Sequence, residues 1–349
     1  MSDQDLVVET VRDLLGAHEL FVLTPERPWD EGLWKALVDT GLTGVGIAEE
    51  DGGSGGELAD AVAIVRTLAA GAAAVPLAEQ LLVAAPALLA AGLPVPPVEQ
   101  PVTVAVAPAV TAEPDGDGRF RLTGTVPAVP SADVATSVVV LVGGAGGPVL
   151  AVLDTAGLAV TSSANLAGEP RGTLTFDATP AAGARLSAEQ AESFRARYAL
   201  ARSVQIAAAL EQVLSWTVQY AGERQQFGRP LAKFQAIQME LAEMAGEVTA
   251  VTAIVDAAVQ ALDRGEDVVL AAAAAKVRAG AAVEVVARLA HQVHGAIGFT
   301  QEYRLHHLTR RCWSWRDEAG TELEWSRVLG AGLVAGGGDD LWTALTRVV

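Results

Sequence analysis

A guanidinium, two carboxamides and an aromatic ring fall on consecutive residues at the head of the run Arg224-Gln-Gln-Phe-Gly-Arg-Pro-Leu-Ala-Lys-Phe-Gln235. Arginine presents a planar fork of donors suited to phosphate, and the amides of Gln225 and Gln226 can bond phosphate or ribose oxygens. The run can hold a nucleotide, although a solvated corner between two helices could carry the same residues. His291 and His294 sit three apart and invite a metal, but no carboxylate or thiol constellation accompanies them, so no metal site is expected. They are expected to line a loop or a subunit contact, and His306 and His307 to lie at the surface or an interface. The glycine-rich stretch from Gly41 to Gly56 could cradle phosphate with backbone N–H groups. No Lys-Ser/Thr pair follows it, and Glu49, Glu50 and Asp51 would repel an anion, so a structural loop is expected.

The elements that must position these residues are helices. Before the run, Leu200, Val204, Ala207, Leu210, Leu214, Thr217 and Ala221 recur at three- and four-residue steps; after it, Ile237, Leu241, Met244, Val248, Val251 and Val255 do the same. Gly228 and Pro230 stop the first helix, and the second restarts near Ala232. Asp267 is a candidate N-cap for a third helix, with Ala274, Val277, Ala281, Val285 and Leu289 turned inward. That helix runs toward Gly295 and Gly298. Nearer the N-terminus, Leu6, Val7, Val11, Leu14 and Leu15 form one helical stripe, and Leu33, Trp34, Leu37 and Val38 form another. Further helices are expected over 60–70 and 77–91. Between about 102 and 186 the texture becomes short β-rich runs bounded by glycine and proline turns. The expected class is α+β: an N-terminal helical domain (1–98), a small central β-sandwich or barrel (99–188) and a C-terminal four-helix bundle (189–349).

The stretch Tyr220-Ala-Gly-Glu-Arg-Gln-Gln-Phe-Gly-Arg-Pro-Leu-Ala-Lys-Phe-Gln235 resembles a signature of the flavin-dependent acyl-CoA dehydrogenase family, ER-x-x-FG-x-x-L-x-x-F/H-Q. Gln292-Val-His-Gly-Ala-Ile-Gly-Phe-Thr-Gln-Glu-Tyr303 resembles the family's second cofactor motif. The two occur in the family order and at about the family separation. The resemblance implies the same three-part chain and FAD as cofactor. Carried over by motif, Arg224, Gln226, Phe227 and Gln235 would reach the adenylate and pyrophosphate of an FAD held mainly by a neighbouring subunit. Gln292, Gly295 and Ala296 would touch the same nucleotide end, with Ala296 standing where a second glycine is usual. Thr321 falls on a family threonine counted among the cofactor contacts.

Two family features are missing. The T-E-P-x-A-G-S-D-like segment that holds the flavin ring has no counterpart before Asp115, and the tryptophan-and-threonine strand that packs on the isoalloxazine is absent. The resemblance also implies a carboxylate base for α-proton removal. Gly320-Thr321 aligns with the family's Gly-Thr, which puts Ala319 at the usual glutamate position. Glu318, one residue upstream, is the candidate catalytic base. A minority of the family carries its base on the preceding helix, but Tyr198 and Ala199 fall at that slot. The expectation is an acyl-CoA dehydrogenase acting as one subunit of a heteromer with a divided FAD site. A homo-oligomer using Glu318, or a non-catalytic structural relative, stays open. Expected partners are an acyl-CoA substrate, a homologous subunit or a second copy, and an electron-transfer flavoprotein.

Composition narrows the classes further. A net charge of −18, with 42 acidic against 24 basic residues, argues against a nucleic-acid partner. The single cysteine, Cys312, excludes an internal disulfide. Residues 1–20 lack a basic-then-apolar pattern, and the apolar runs around 81–93 and 268–275 are short or interrupted. A cytoplasmic protein without a membrane association is expected.

Overall fold

The computed structural model describes residues 3–17, 22–24 and 26–335. The expected segments 1–98 and 189–349 therefore reach into positions outside the described residues. The chain divides into two compact units, Met1–Val65 with Ala73–Ala201, and Arg66–Ala72 with Arg202–Val349.

In the first unit, helices α1 (Asp3–Ala17), α2 (Glu31–Asp39) and α3 (Leu58–Ala70) precede α4 (Leu77–Glu79) and α5 (Ala85–Ala90), which are joined by a π-helical turn at Gln80–Ala84. Asp30 caps α2 by accepting from Leu33 N at 2.9 Å, and Leu33, Trp34 and Leu37 are buried as their spacing predicts. Val11 alone of the α1 stripe is fully buried, and Leu6 is exposed. The backbone of the glycine-rich loop closes on itself, with Gly46 N donating to Gly55 O and Gly55 N to Ile47 O, both at 2.8 Å. Gln80 opens the π-turn. Its buried amide donates to Thr43 O at 2.9 Å and Val98 O at 2.8 Å and accepts from Val102 N at 3.2 Å. One side chain thus satisfies backbone groups from three segments that would otherwise be buried unpaired.

The strands are β1 (Val102–Pro114), β2 (Arg119–Pro130), β3 (Ser137–Gly144), β4 (Val149–Asp154), β5 (Ala159–Ala164) and β6 (Pro170–Arg185). Sheet order is β2-β1-β3-β4-β6-β5, and β2 also pairs with β6, so five strands close into a ring with β5 outside it. The choice between sandwich and barrel falls to a small barrel. Val138, Val140 and Val142 of β3 face a core with Phe120, Leu122, Leu174 and Phe176. β5 carries no strand signal of its own in the sequence, because Thr161, Ser162 and Ser163 are exposed on both faces and leave no alternation to detect.

α6 (Ala188–Glu223) begins in the first unit and continues in the second, followed by α7 (Gln235–Asp263), α8 (Val269–His294), α9 (Leu305–Asp317) and α10 (Glu322–Ala335). Asp267 caps α8 as expected, accepting from Val269 N at 3.0 Å. The phase expected for α8 is wrong in part: Ala281 is exposed, while Lys276, Ala279, Val283, Val286 and Ala290 are buried. The helix packs on α7, α9 and α10, so its burial is broad, and a run of alanines cannot report which face is inward. α7 is the one described helix long and apolar enough to cross a membrane, with a mean hydropathy of 1.3. Its Met244, Val248, Val251 and Val255 are buried, and Glu247 pairs with Arg278 of α8, which is the arrangement of a bundle helix.

Candidate functional site

After α6 ends at Glu223, the chain turns through a miniature hairpin in which Gln225 pairs with Pro230 and Gln226 with Arg229. Phe227 and Gly228 form the tip, with φ of +51° and +80°. Successive left-handed residues make a type I′ turn, a conformation that glycine accepts and a bulky side chain resists. Phe227 is nevertheless 92% exposed, its ring edge-on to Phe234 with centroids 6.2 Å apart. Strain of this kind concentrates where a ligand is gripped. Both arms of the corner are fastened through Arg224: its N–H donates to Tyr220 O and its carbonyl accepts from Leu231 N, each at 2.8 Å. Its guanidinium is exposed and makes no ion pair among the described residues. Gln226 and Gln235 are exposed beside it.

The second motif closes onto the same end of α6. His294 Nδ1 donates to Ala290 O at 2.8 Å, which leaves Nε2 to accept from the Tyr303 hydroxyl at 3.0 Å. The Tyr220 ring stacks on His294 with centroids 4.4 Å apart, and its hydroxyl donates to His294 O. Arg304 lies over Trp216 at 4.4 Å and donates to Gln219 Oε1 at 3.2 Å. His294 is thus buried, and it lines the loop that follows α8 through its contact with Tyr303. Gln292, Gly295 and Ala296 are exposed, as is Phe299, whose ring stacks on His291. Ala296 lies in a 3-10 turn, Gly295–Phe299, without positive φ, so the departure from glycine costs nothing there.

His307 is half-buried, its ring tilted against that of His306 with centroids 4.0 Å apart. Burial, then His306, Arg311 and Arg310, hold its pKa down at about 4, and burial lowers His291 and His294 as well. Above pH ~6.5, the unfolded value, the ring is neutral in both states and contributes nothing. As pH falls from there toward 4, the unfolded chain takes up a proton that the folded chain refuses, so stability is lost in that window. With an allowance for partial exposure, about 1 kcal/mol should go by pH 5. Urea midpoints at pH 7.5 and 5 check this: the difference should shrink in His307→Gln.

The base candidate sits in a different environment. Glu318 Oε2 lies 2.9 Å from Nε of Arg202, and the Arg202 and Glu318 side chains are 2% and 15% exposed. Arg202 also donates to Gln205 Oε1 at 2.6 Å. Lys276, fully buried on α8, donates to the carbonyls of Trp315 and Arg316 at the end of α9, and burial pushes its pKa down to about 8. Arg316 makes a two-point pair with Glu322. Ala319 is left-handed at φ +57°, with its carbonyl held by Trp325 Nε1 at 2.8 Å. Gly320 is required beside it, because an added Cβ would lie 2.6 Å from that same nitrogen. The Thr321 hydroxyl is engaged in capping α10, accepting from Glu324 N and donating to the Glu324 carboxylate. At the alternative slot, Tyr198 and Ala199 are both buried. Nothing in the sequence pattern paired Arg202 with Glu318; the only signal was an arginine inside an apolar helical stripe.

Residues 183–323 match the acyl-CoA dehydrogenase C-terminal domain, and residues 2–94 match the acyl-CoA dehydrogenase N-terminal domain. The chain belongs to the acyl-CoA dehydrogenase family. It is 30% identical over 316 residues to the acyl-CoA dehydrogenase IpdE2 of Mycobacterium tuberculosis, covering 87% of this chain and 89% of that protein. Among solved structures it is similar to a steroid ACAD variant, Tcur3481–Tcur3483, with a TM-score of 0.88 and 28% identity, over 96% of this chain and 98% of that one. The ChsE4–ChsE5 complex of Mycobacterium tuberculosis matches with a TM-score of 0.86 and 25% identity, again over 96% and 98%. The family is FAD-dependent, and this acyl-CoA dehydrogenase has the family's α+β fold of helices, β-barrel and helical C-terminal domain.

The fit of this member to FAD is uneven. Arg224, Gln226, Phe227, Gln235, Gln292, Gly295 and Ala296, the residues expected at the nucleotide end, are exposed, and the Arg224 guanidinium has no ion-pair partner among the described residues. The barrel is poorer: Phe120 and Phe176 are its aromatic residues, and both are buried in its core. No aromatic face is left there for an isoalloxazine ring to pack on.

Proposed function

We propose that this chain is one subunit of a heteromeric acyl-CoA dehydrogenase, donating the adenylate-gripping corner of an FAD site whose flavin-ring half belongs to a homologous partner. Bound FAD supplies the hydride acceptor for α,β-desaturation of a CoA thioester; the base for that reaction resides on the partner. The carrying observation is the exposed Arg224–Phe227 corner, which offers a guanidinium, an amide and a strained aromatic ring to something outside the described chain. The barrel with only core aromatics supports the same division, as does the likeness to structures titled as paired components, ChsE4–ChsE5 and Tcur3481–Tcur3483. Gln292, Gly295 and Ala296 extend the grip from the second motif, and Gln235 opens the helix behind it. Thr321 could add only backbone or a shared hydroxyl, since its side chain caps α10. Electrons would pass to an electron-transfer flavoprotein in a cytoplasmic setting.

A homo-oligomer with Glu318 as base is the competing reading, and the geometry speaks against it. A carboxylate committed to a buried guanidinium is a counter-ion before it is a base. The test is spectroscopic. The chain purified alone should be colourless near 450 nm, the region where ~10 µM flavin is easily seen, and should acquire FAD on co-expression with a homologous partner. Yellow protein from the single chain, with activity abolished by Glu318→Gln, would replace this proposal with the homo-oligomer.

A further inference from the structure

Away from both motifs, the first unit has a cleft of about 160 Å³ between α5, the barrel and the first turns of α6. Pro86, Ala87, Leu150 and Phe194 form its apolar wall. Gln190, Ser193 and Arg197, at three- and four-residue spacing, share the face of α6 that lines the opposite side. The Arg197 guanidinium is half-buried and has neither a carboxylate nor a hydrogen-bond partner among the described residues. The nearest acid in sequence, Glu192, lies instead beside Arg195 at 4.0 Å. Gln190 uses its carbonyl oxygen to accept from Ser187 N at 2.9 Å, which leaves its amide N–H groups available. The polar side of the cleft therefore offers the Arg197 guanidinium and the Gln190 amide N–H groups as donors, with the Ser193 hydroxyl able to donate or accept, and it holds no carboxylate among the described residues.

A partly desolvated cation without a counter-charge is costly in a fold, and burial lowers the Arg197 pKa with nothing opposing it. That cost is rare in a chain with 42 acidic residues from which a partner could have been drawn. From this geometry we infer that the cleft binds a small carboxylate with a short apolar body, the carboxylate on Arg197 and the alkyl part against Leu150 and Phe194. One guanidinium matches one carboxylate in charge, whereas a phosphate monoester would bring a second negative charge without a second cation. At about 30 Å³ per water-sized group, the cleft of about 160 Å³ has room for roughly five such groups, close to the six non-hydrogen atoms of butyrate. This site is independent of the flavin assignment.

The experiment titrates the full-length protein with butyrate, butyramide and propyl phosphate by calorimetry, in wild type and in Arg197→Met and Arg197→Lys. Butyrate should bind, lose about tenfold or more in affinity in Arg197→Met, and be partly restored by Arg197→Lys, because a charge-assisted bond is removed and then replaced. Butyramide should not bind. Arg197→Met should melt at the same temperature as wild type or higher, since the substitution removes a cation that has no partner. Equal butyrate affinity in Arg197→Met, equal binding of butyramide, or no heat at tens of millimolar butyrate would overturn the site. Tighter binding of propyl phosphate would overturn the carboxylate assignment, and a lower melting temperature for Arg197→Met would make the arginine a structural residue.

Discussion

Replacing Arg202 with methionine is expected to lower the free energy of unfolding by about 3–5 kcal/mol, the usual cost of stripping one partner from a buried ion pair. Glu318, 15% exposed, would lose the guanidinium that lies 2.9 Å from its carboxylate. Lys276 is near enough to interact with both members of the pair, and its ammonium would compensate in part, which favours the lower end of that range. Against a total stability of roughly 5–15 kcal/mol, such a loss is large. A double variant, Arg202→Met with Glu318→Leu, should recover most of it, because what costs energy is burying the carboxylate without that guanidinium and not the missing attraction. Urea denaturation measures both variants. The double variant also separates roles: a protein with Glu318 as counter-ion regains stability and keeps turnover in its assembled complex. A protein with Glu318 as base regains stability and stays inactive. A loss below about 1 kcal/mol in Arg202→Met would show that the pair behaves as a solvated one.

The second large effect concerns flavin retention. In the assembled complex, Arg224→Ala should weaken FAD binding by about 10- to 100-fold, the worth of one charge-assisted hydrogen bond to a phosphate. The fold should be unaffected, because the Arg224 guanidinium touches nothing that the chain needs. Phe227→Gly sharpens the test. Glycine relieves the left-handed strain at that position by about 1 kcal/mol, so the variant should melt no lower than wild type while releasing FAD faster. Equilibrium dialysis with fluorescence of the released flavin reads both. If FAD content is unchanged in Arg224→Ala, the corner does not grip the nucleotide and the divided-site proposal fails.

Much of the architecture was legible because it rests on periodicity. The α6 and α7 stripes, the capped start of α8 and the strand-rich middle all follow from hydrophobic spacing and turn residues. What escaped depended on information that spacing does not carry. The α8 face was misassigned because consecutive alanines look alike in every direction, so buried Lys276 went unnoticed among them. β5 is polar on both faces. The Arg202–Glu318 pair joins residues more than a hundred positions apart, and the hydrogen bonds of both His294 nitrogens, to Ala290 and Tyr303, leave no trace in its spacing from His291. The corner at Arg224 was visible as chemistry, but its I′ tip and the strain at Phe227 were not, since a phenylalanine before glycine does not announce a left-handed backbone.

The closure of the barrel carries a consequence for biosynthesis. β6 pairs with β2, β4 and β5 at once. Until residue 185 leaves the ribosome, β2 and β4 lack these pairings. Translating from Val102 to Arg185 takes roughly 4–17 s at about 5–20 residues per second. During that interval the nascent domain presents unpaired strand edges, which makes the late strand both the lock of the barrel and the moment of greatest exposure to aggregation.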